Sequence, residues 1–159
     1  MKKFTRPVKL EEPQGLEGFS CGVELIDNWV EKNAIKAEKH GTAVVYVSYY
    51  DGKPAGFYSL SPFSIQRAEV AGGWLKRNVP KQIPAILLGM LAVDKNCQGQ
   101  GLGAQLLKDA VIRALSAAEI VGGRALLVEP VDEAAAAFYM KYGFECLKDS
   151  PYLFVRLAS

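Results

Sequence analysis

Hydrophobic positions along this chain alternate between short runs rich in β-branched and aromatic residues and longer stretches with helical spacing. Lys3 to Leu10 fits an opening strand, ended by Pro13 and Gly15. Ser20 or Asp27 is placed to cap a helical region in which Leu25, Ile26, Trp29, Val30, Ile35 and Ala37 follow roughly helical spacing; Lys39, His40 and Gly41 close it. Val44 to Tyr50, the pair Asp51-Gly52 and the run Phe57 to Leu60 predict a β-hairpin about a tight turn. Residues 62–84, with Pro62, Gly72-Gly73, Pro80 and Pro84, lack a clear period, which predicts a long functional loop with a short helix around Trp74. Ala85 to Val93 and Ala125 to Val128 read as buried strands. Between them Gly101 to Val121 fits a helix, with Leu102, Leu106, Leu107, Ala110, Val111, Ala114 and Leu115 on one side and Gly122-Gly123 as its stop. Asp132 caps a further helix through Lys141, ended by Gly143, and Phe144 to Leu147 and Tyr152 to Leu157 predict a closing pair of strands. The order is that of a mixed α/β protein, a single domain over residues 1–159 without internal repeat or linker.

Composition narrows the partners. Half of the 159 residues are hydrophobic and 23% charged, a globular balance, and the length allows a substantial core. A formal charge of +2 gives no whole-molecule attraction to polyanions, so an anionic partner is met by a local patch. No apolar run approaches the roughly 20 residues that span a bilayer. The basic start Met1-Lys2-Lys3-Phe4 turns polar again at Lys9, Glu11 and Glu12. The expectation is a cytoplasmic protein without membrane association. Cys21, Cys97 and Cys146 lie far apart and His40 is the one histidine, so no metal site is expected and the thiols read as packing groups. Cys97 is the one whose exposure would matter.

The stretch richest in chemistry is Leu91-Ala92-Val93-Asp94-Lys95-Asn96-Cys97-Gln98-Gly99-Gln100-Gly101-Leu102-Gly103-Ala104, which runs from a strand through a glycine-rich turn into a helix. Such a turn bares successive backbone N–H groups, and the helix N-terminus adds its positive dipole end, so a pyrophosphate can sit there. A P-loop is excluded, because Gly103 is followed by Ala104 and Gln105 rather than Lys and Ser or Thr. The dinucleotide fingerprint is excluded because Gly99, Gly101 and Gly103 are too closely spaced. What remains is Gln98-x-x-Gly101-x-Gly103.

That pattern resembles the acyl-CoA-binding motif of the GCN5-related N-acetyltransferases (GNAT). "LAVD" before it is similar to the family's fourth strand, and "AAAAFYMKYGFE" at 134–145 to its late helix with the FYxxxGF pattern. The resemblance covers nearly the whole chain. It implies a mixed, mostly antiparallel central sheet with splayed central strands and helices on both faces. It also implies acetyl-CoA as co-substrate, with pantetheine along Leu91, Ala92 and Val93 and pyrophosphate at Gln98 to Ala104.

The chemistry such an enzyme needs is a free amine, donors for a tetrahedral oxyanion and an acid for the departing thiolate, with no protein nucleophile. Tyr139 is the acid candidate: a phenol of pKa near 10 is protonated at neutral pH, and the family tyrosine at this place reaches the cofactor sulfur. The competing reading makes it a core aromatic like Phe138 or Tyr142. No general base stands out; Glu129, Asp94 and Glu133 are the alternatives.

Within the family, "FSCGVELIDNWV" at 19–30, "GFYSLSP" at 56–62, the segment 91–115 and "EAAAAFYMKYGF" at 133–144 resemble the toxins of bacterial toxin–antitoxin pairs that acetylate the α-amine of aminoacyl-tRNA. This resemblance implies aminoacyl-tRNA as acceptor and a ribbon-helix-helix antitoxin as partner; a homodimer is a further expectation. Two positions depart from the pattern: Met90 stands where arginine is common, and the strand at 43–47 lacks an arginine often seen there. The basic residues available to RNA are Lys36, Lys39 and His40 on one helix, and Arg67, Lys76, Arg77 and Lys81 in residues 63–84, where only Glu69 opposes them and Trp74 offers a stacking surface. The alternatives are an acetyltransferase for a small amine or a protein N-terminus, and a non-catalytic acyl-CoA-binding module.

Overall fold

The computed structural model describes residues 3–67, 76 and 79–157. In chain order these form β1 (Val8–Lys9), a 3-10 turn (Pro13–Leu16), α1 (Glu24–Lys32), α2 (Ala34–His40), β2 (Val44–Tyr50), β3 (Lys53–Gln66), β4 (Gln82–Val93), α3 (Leu102–Val121), β5 (Ala125–Val128), α4 (Glu133–Lys141), β6 (Glu145–Cys146) and β7 (Leu153–Arg156). The strands are ordered β1-β2-β3-β4-β5-β7-β6 in one sheet. β1–β2, β2–β3, β5–β7 and β6–β7 pair antiparallel, and β4–β5 pairs parallel. Tertiary contacts divide the chain into two units, Met1–Ser61 with Gly89–Val111, and Pro62–Leu88 with Ile112–Ser159.

The first unit is built on the hairpin. Asp51 and Gly52 both have positive φ, 52° and 76°, the conformation that joins two twisted strands in a tight turn and that Asp-Gly accepts readily. Successive β3 side chains then point to opposite faces. Phe57 lies parallel to the Trp29 indole of α1, with ring centres 6.0 Å apart, and meets the Phe19 ring edge-on at 5.1 Å. Tyr58, on the other face, donates its hydroxyl hydrogen bond to the Asp109 carboxylate of α3. Helices therefore cover both faces of the sheet, as the family resemblance implies. Leu10, Val45, Val47 and Ala92 complete the core on the Phe57 side. Burial of each of the larger ones, Leu10, Val45 and Val47, contributes about 1.5–3 kcal/mol.

In the second unit Ala125, Leu126, Leu127 and Val128 are all buried, so β5 has no solvent face. Ala125 and Leu127 pack with Ile65, Ile83, Ala85 and Leu147. The parallel ladder joins Ile86–Leu88 of β4 to Leu126–Val128 of β5. β4 itself continues to Val93. Asp132 caps α4 as its position predicts, its carboxylate accepting the Ala135 N–H at 2.7 Å.

Several boundaries differ from the sequence reading. The opening strand shrinks to Val8–Lys9, although Thr5 and Leu10 still donate backbone bonds to Tyr49 and Val45. The helical region splits at Asn33, whose φ of −126° is not helical; its N–H closes α1 on Trp29 and its carbonyl opens α2 by accepting from Ala37. Neither Ser20 nor Asp27 caps α1, which starts after Val23 without a side-chain cap. The irregular stretch 62–84 is shorter than predicted, because β3 runs through Pro62 to Gln66 and β4 starts at Gln82. Leu115 is 44% exposed rather than core. The helix expected around Trp74 lies outside the described residues.

Candidate active site

The turn from β4 into α3 is held by side chains rather than left to its glycines. Asp94 is buried, and its carboxylate accepts the N–H of Ser20 at 3.1 Å and of Asn96 at 3.0 Å, while its carbonyl accepts Cys97 N–H at 2.8 Å. Lys95 N–H donates back to the Ser20 carbonyl at 2.9 Å. The Gln98 amide donates to the carbonyls of Val93 at 3.0 Å and Cys21 at 3.1 Å. The loop before α1 and the glycine turn are thereby fastened together. Asp27 secures the far side of that loop by accepting from Ser20 Oγ, Cys21 N–H and Gly22 N–H. Desolvation acts to raise the Asp27 pKa, but these bonds and that from the Cys21 thiol outweigh it and hold the carboxyl below its usual range.

Within this clamp Gly99 and Gly101 adopt φ of +77° and +82°, the left-handed region that side chains disfavour. The first bond of α3 runs from Gln105 N–H to Gly101 carbonyl at 3.2 Å, so the N–H groups of Leu102, Gly103 and Ala104 stand ahead of helical bonding. No acidic residue occupies the first turn of α3, which leaves the positive end of its dipole uncompensated. Donors and dipole together suit a pyrophosphate. Gly103 has no positive φ, so its conformation is open to other residues.

Two packing features aim the helix. Leu102 is buried at 2% exposure and pins the start of α3. A Cβ at Gly56 on β3 would stand 2.8 Å from Leu106 Cδ1 and 3.1 Å from the Ala92 carbonyl oxygen, so glycine there permits the close approach. Gly56 opens the segment "GFYSLSP", and nothing in its local sequence marks this close approach.

Tyr139 belongs to the second unit, on α4. Its ring is buried between Phe138 and Phe144, with ring centres 5.3 and 5.5 Å away. Desolvation raises its phenol above the ordinary value. Among the described residues no hydrogen-bond partner of the hydroxyl is found. A protonated phenol with an unused donor is what the expected acid requires. Phe138 is half-buried and Tyr142 is 46% exposed, so the aromatic neighbours are not all core.

Residues 41–146 match the acetyltransferase (GNAT) domain. The chain belongs to the GNAT acetyltransferase family. It is 36% identical to a tRNA-acetylating toxin of Mycobacterium tuberculosis over 95% of this chain and 90% of that one. Its fold is similar to that of AtaT complexed with acetyl-methionyl-tRNA, with a TM-score of 0.84, 27% identity, and coverage of 97% and 95% of the two chains. It also resembles a mutant AtaT toxin bound to acetyl-CoA and the C-terminus of the antitoxin AtaR, with a TM-score of 0.79, 26% identity and coverage of 98% and 94%.

Seen as a GNAT protein, the chain brings Leu91, Ala92, Val93 and the turn Gln98 to Ala104 together in the first unit, with Ala92 and Leu102 facing the core and Gln98, Gly99 and Gly101 exposed. The Gln98 side chain shapes the turn through its two bonds. The Asp94 carboxylate is engaged by two backbone N–H groups. Glu129 and Glu133 are exposed; Glu129 lies close enough to Tyr152 to help desolvation raise that phenol's pKa. Lys36, Lys39 and His40 are exposed on α2 and its end, and Lys76 is half-buried. Arg77 and Trp74 lie outside the described residues. The free thiols are Cys21, half-buried, Cys97, buried, and Cys146, exposed, so the accessible one is not Cys97. Among the described residues no cluster of His, Cys, Asp or Glu suits a metal, and no helix is long and apolar enough to cross a membrane.

Proposed function

We propose that this protein transfers the acetyl group of acetyl-CoA to the α-amine of an amino acid esterified to tRNA, as the toxin of a toxin–antitoxin pair. The observation that carries this reading is the 36% identity, spread over 95% of the chain, to a tRNA-acetylating toxin. The likeness to AtaT bound to acetyl-methionyl-tRNA, and to AtaT bound to acetyl-CoA and its antitoxin, supports acceptor, donor and partner in turn. In this reading the backbone of Leu91, Ala92 and Val93 takes the pantetheine arm, and the N–H groups between Gln98 and Ala104 take the pyrophosphate.

Transfer is direct. The amine nitrogen attacks the thioester carbonyl, the C–N bond forms, and the C–S bond breaks as the carbonyl reforms. The departing thiolate takes the phenolic proton of Tyr139, and the proton shed by the amine passes to water. An α-amine has a pKa near 8, so a useful fraction is free at neutral pH without a strong base. Lys36, Lys39, Lys76 and Arg77 supply phosphate contacts. The antitoxin is a ribbon-helix-helix protein, the active form a homodimer, and the setting the cytoplasm.

One observation favours a second reading. Leu16, Phe19, Val30, Glu17, Asp27 and Glu31 help to line a cleft of about 580 Å³ in the first unit, whose charge suits a small cationic amine better than RNA. Purified protein with labelled acetyl-CoA decides between them. Label on charged tRNA but not on the same tRNA stripped of its amino acid is expected. Label on polyamines or free amino acids, with charged tRNA untouched, moves the assignment to the small amine.

A further inference from the structure

Ser59 on β3 is 3% exposed, and its Oγ accepts the Met90 N–H of β4 at 3.0 Å. As an acceptor it still has its own O–H to give, and among the described residues nothing accepts it. Buried hydroxyls seldom leave a donor unused, since desolvating it without a partner is unfavourable. What lies beside the hydroxyl is an opening. A Cβ on residue 89 would stand 2.8 Å from Ser59 Oγ, and residue 89 is an exposed glycine. The missing side chain thus leaves the one buried serine donor of this strand pair a path outward past the β4 backbone.

The position along β4 says what would meet it. If Gln98 to Ala104 holds pyrophosphate and Val93 and Leu91 hold pantetheine, the next residue on the same side of the strand is Gly89. At about 3.3 Å per residue the step from Val93 to Gly89 is about 13 Å, which carries the chain from its pyrophosphate end towards its thioester end. We propose that the Ser59 hydroxyl donates a hydrogen bond, past Gly89, to the carbonyl oxygen of the thioester. This inference rests on the acetyl-CoA reading above and adds the donor that reading lacks.

The chemistry balances without any proton leaving Ser59. When the amine nitrogen bonds to the carbonyl carbon, the π pair moves onto oxygen, and the Ser59 O–H bond strengthens towards that oxyanion. As the pair returns, the C–S bond breaks and the sulfur is protonated as already described. The Met90 N–H bound to Oγ polarises the hydroxyl and makes it the better donor. The strand amide thereby acts through a side chain placed where it can be removed.

Ser59→Ala deletes the donor and leaves the strand intact. Loss of a single oxyanion donor lowers kcat by about 10²–10³-fold, and that is the fall expected with charged tRNA. The affinity for free CoA, which has no acetyl carbonyl, is expected to be unchanged by calorimetry, and Ser59→Thr, which restores a hydroxyl, is expected to recover most of the rate. Wild-type turnover in Ser59→Ala overturns the proposal, as does an equal loss of CoA affinity and kcat, which would mark Ser59 as mere packing. Should the alanine variant not fold, Gly89→Ala decides, since its methyl closes the opening. Lost turnover with CoA affinity kept supports the donor, and unchanged turnover overturns it. Failure of the wild-type protein to bind CoA or acetylate any amine would instead remove the reading beneath it.

Discussion

Tyr139 shows how a single environment sets a protonation state. Two aromatic rings and burial desolvate its phenol, which disfavours the charged form and raises the pKa above the ordinary value near 10. The phenol therefore stays protonated below pH 10, and in the acid role proposed for it no activity loss from its own ionisation is expected in that range. Tyr139→Phe keeps both ring contacts and removes only the hydroxyl. Turnover is expected to fall about 10²–10⁴-fold, the usual worth of a general acid, while calorimetry finds acetyl-CoA affinity unchanged. A variant as fast as wild type would return Tyr139 to the core. The raised pKa also has a stability consequence. Above the unfolded value near 10 the unfolded chain has lost this proton and the folded one retains it, so stability falls with rising pH in that window. Tyr139→Phe is expected to flatten the alkaline loss of Tm, leaving the slope owed to Tyr49 and Tyr152, which burial also raises.

At the scale of elements, the proposed cofactor site is made of β4, its turn and α3. Gly101 sits at φ +82° with open space around a would-be Cβ, so its requirement is conformational, not steric. Gly101→Val forces a β-branched residue into the left-handed region, at about 1–2 kcal/mol before relaxation. The expected outcome is a folded protein with acetyl-CoA affinity severely reduced, read by calorimetry beside a near-native Tm. Asp132→Ala tests an element away from the turn. Loss of its bond to Ala135 N–H is expected to lower stability by about 1 kcal/mol in denaturant unfolding.

Both features were legible in the sequence, because a glycine-rich turn and an N-cap are written in adjacent residues. So was the hairpin, through Asp51-Gly52. What local reading missed depends on distant partners. Pro62 suggests a loop, yet β3 passes through it to Gln66, and Ser64 Oγ donates to the Gln82 amide oxygen at 2.6 Å while Arg67 N–H donates to the Lys81 carbonyl. Asn33 breaks a helix that periodicity would continue. Gly56 and Ser59 acquire their roles from Leu106 and Met90, some 50 and 31 residues further along the chain, and no spacing rule reaches that far.

For the molecule as a whole, charge is the lever on the acceptor. A net +2 supplies little long-range attraction, so binding of a polyanion falls to local groups. Lys9 pairs with Glu38 at 3.2 Å, while Lys36 and Lys39 of α2 stand exposed to solvent or a partner. If these lysines meet tRNA phosphates, each contact releases counterions, and log affinity falls with log salt by about 0.7–0.9 per contact. Reversing both in Lys36→Glu and Lys39→Glu is expected to raise the KM for charged tRNA and flatten its salt dependence. Extending the reversal to Lys76 and Arg77 is expected to flatten it further. The KM for acetyl-CoA is expected to hold, because the glycine turn keeps its donors and its uncompensated helix end in every variant. A salt slope unchanged by all four reversals would clear these residues of the tRNA surface. A wild-type enzyme whose acceptor KM does not respond to salt at all would speak for the small cationic amine, whose binding beside Glu17 and Glu31 needs no phosphate contact.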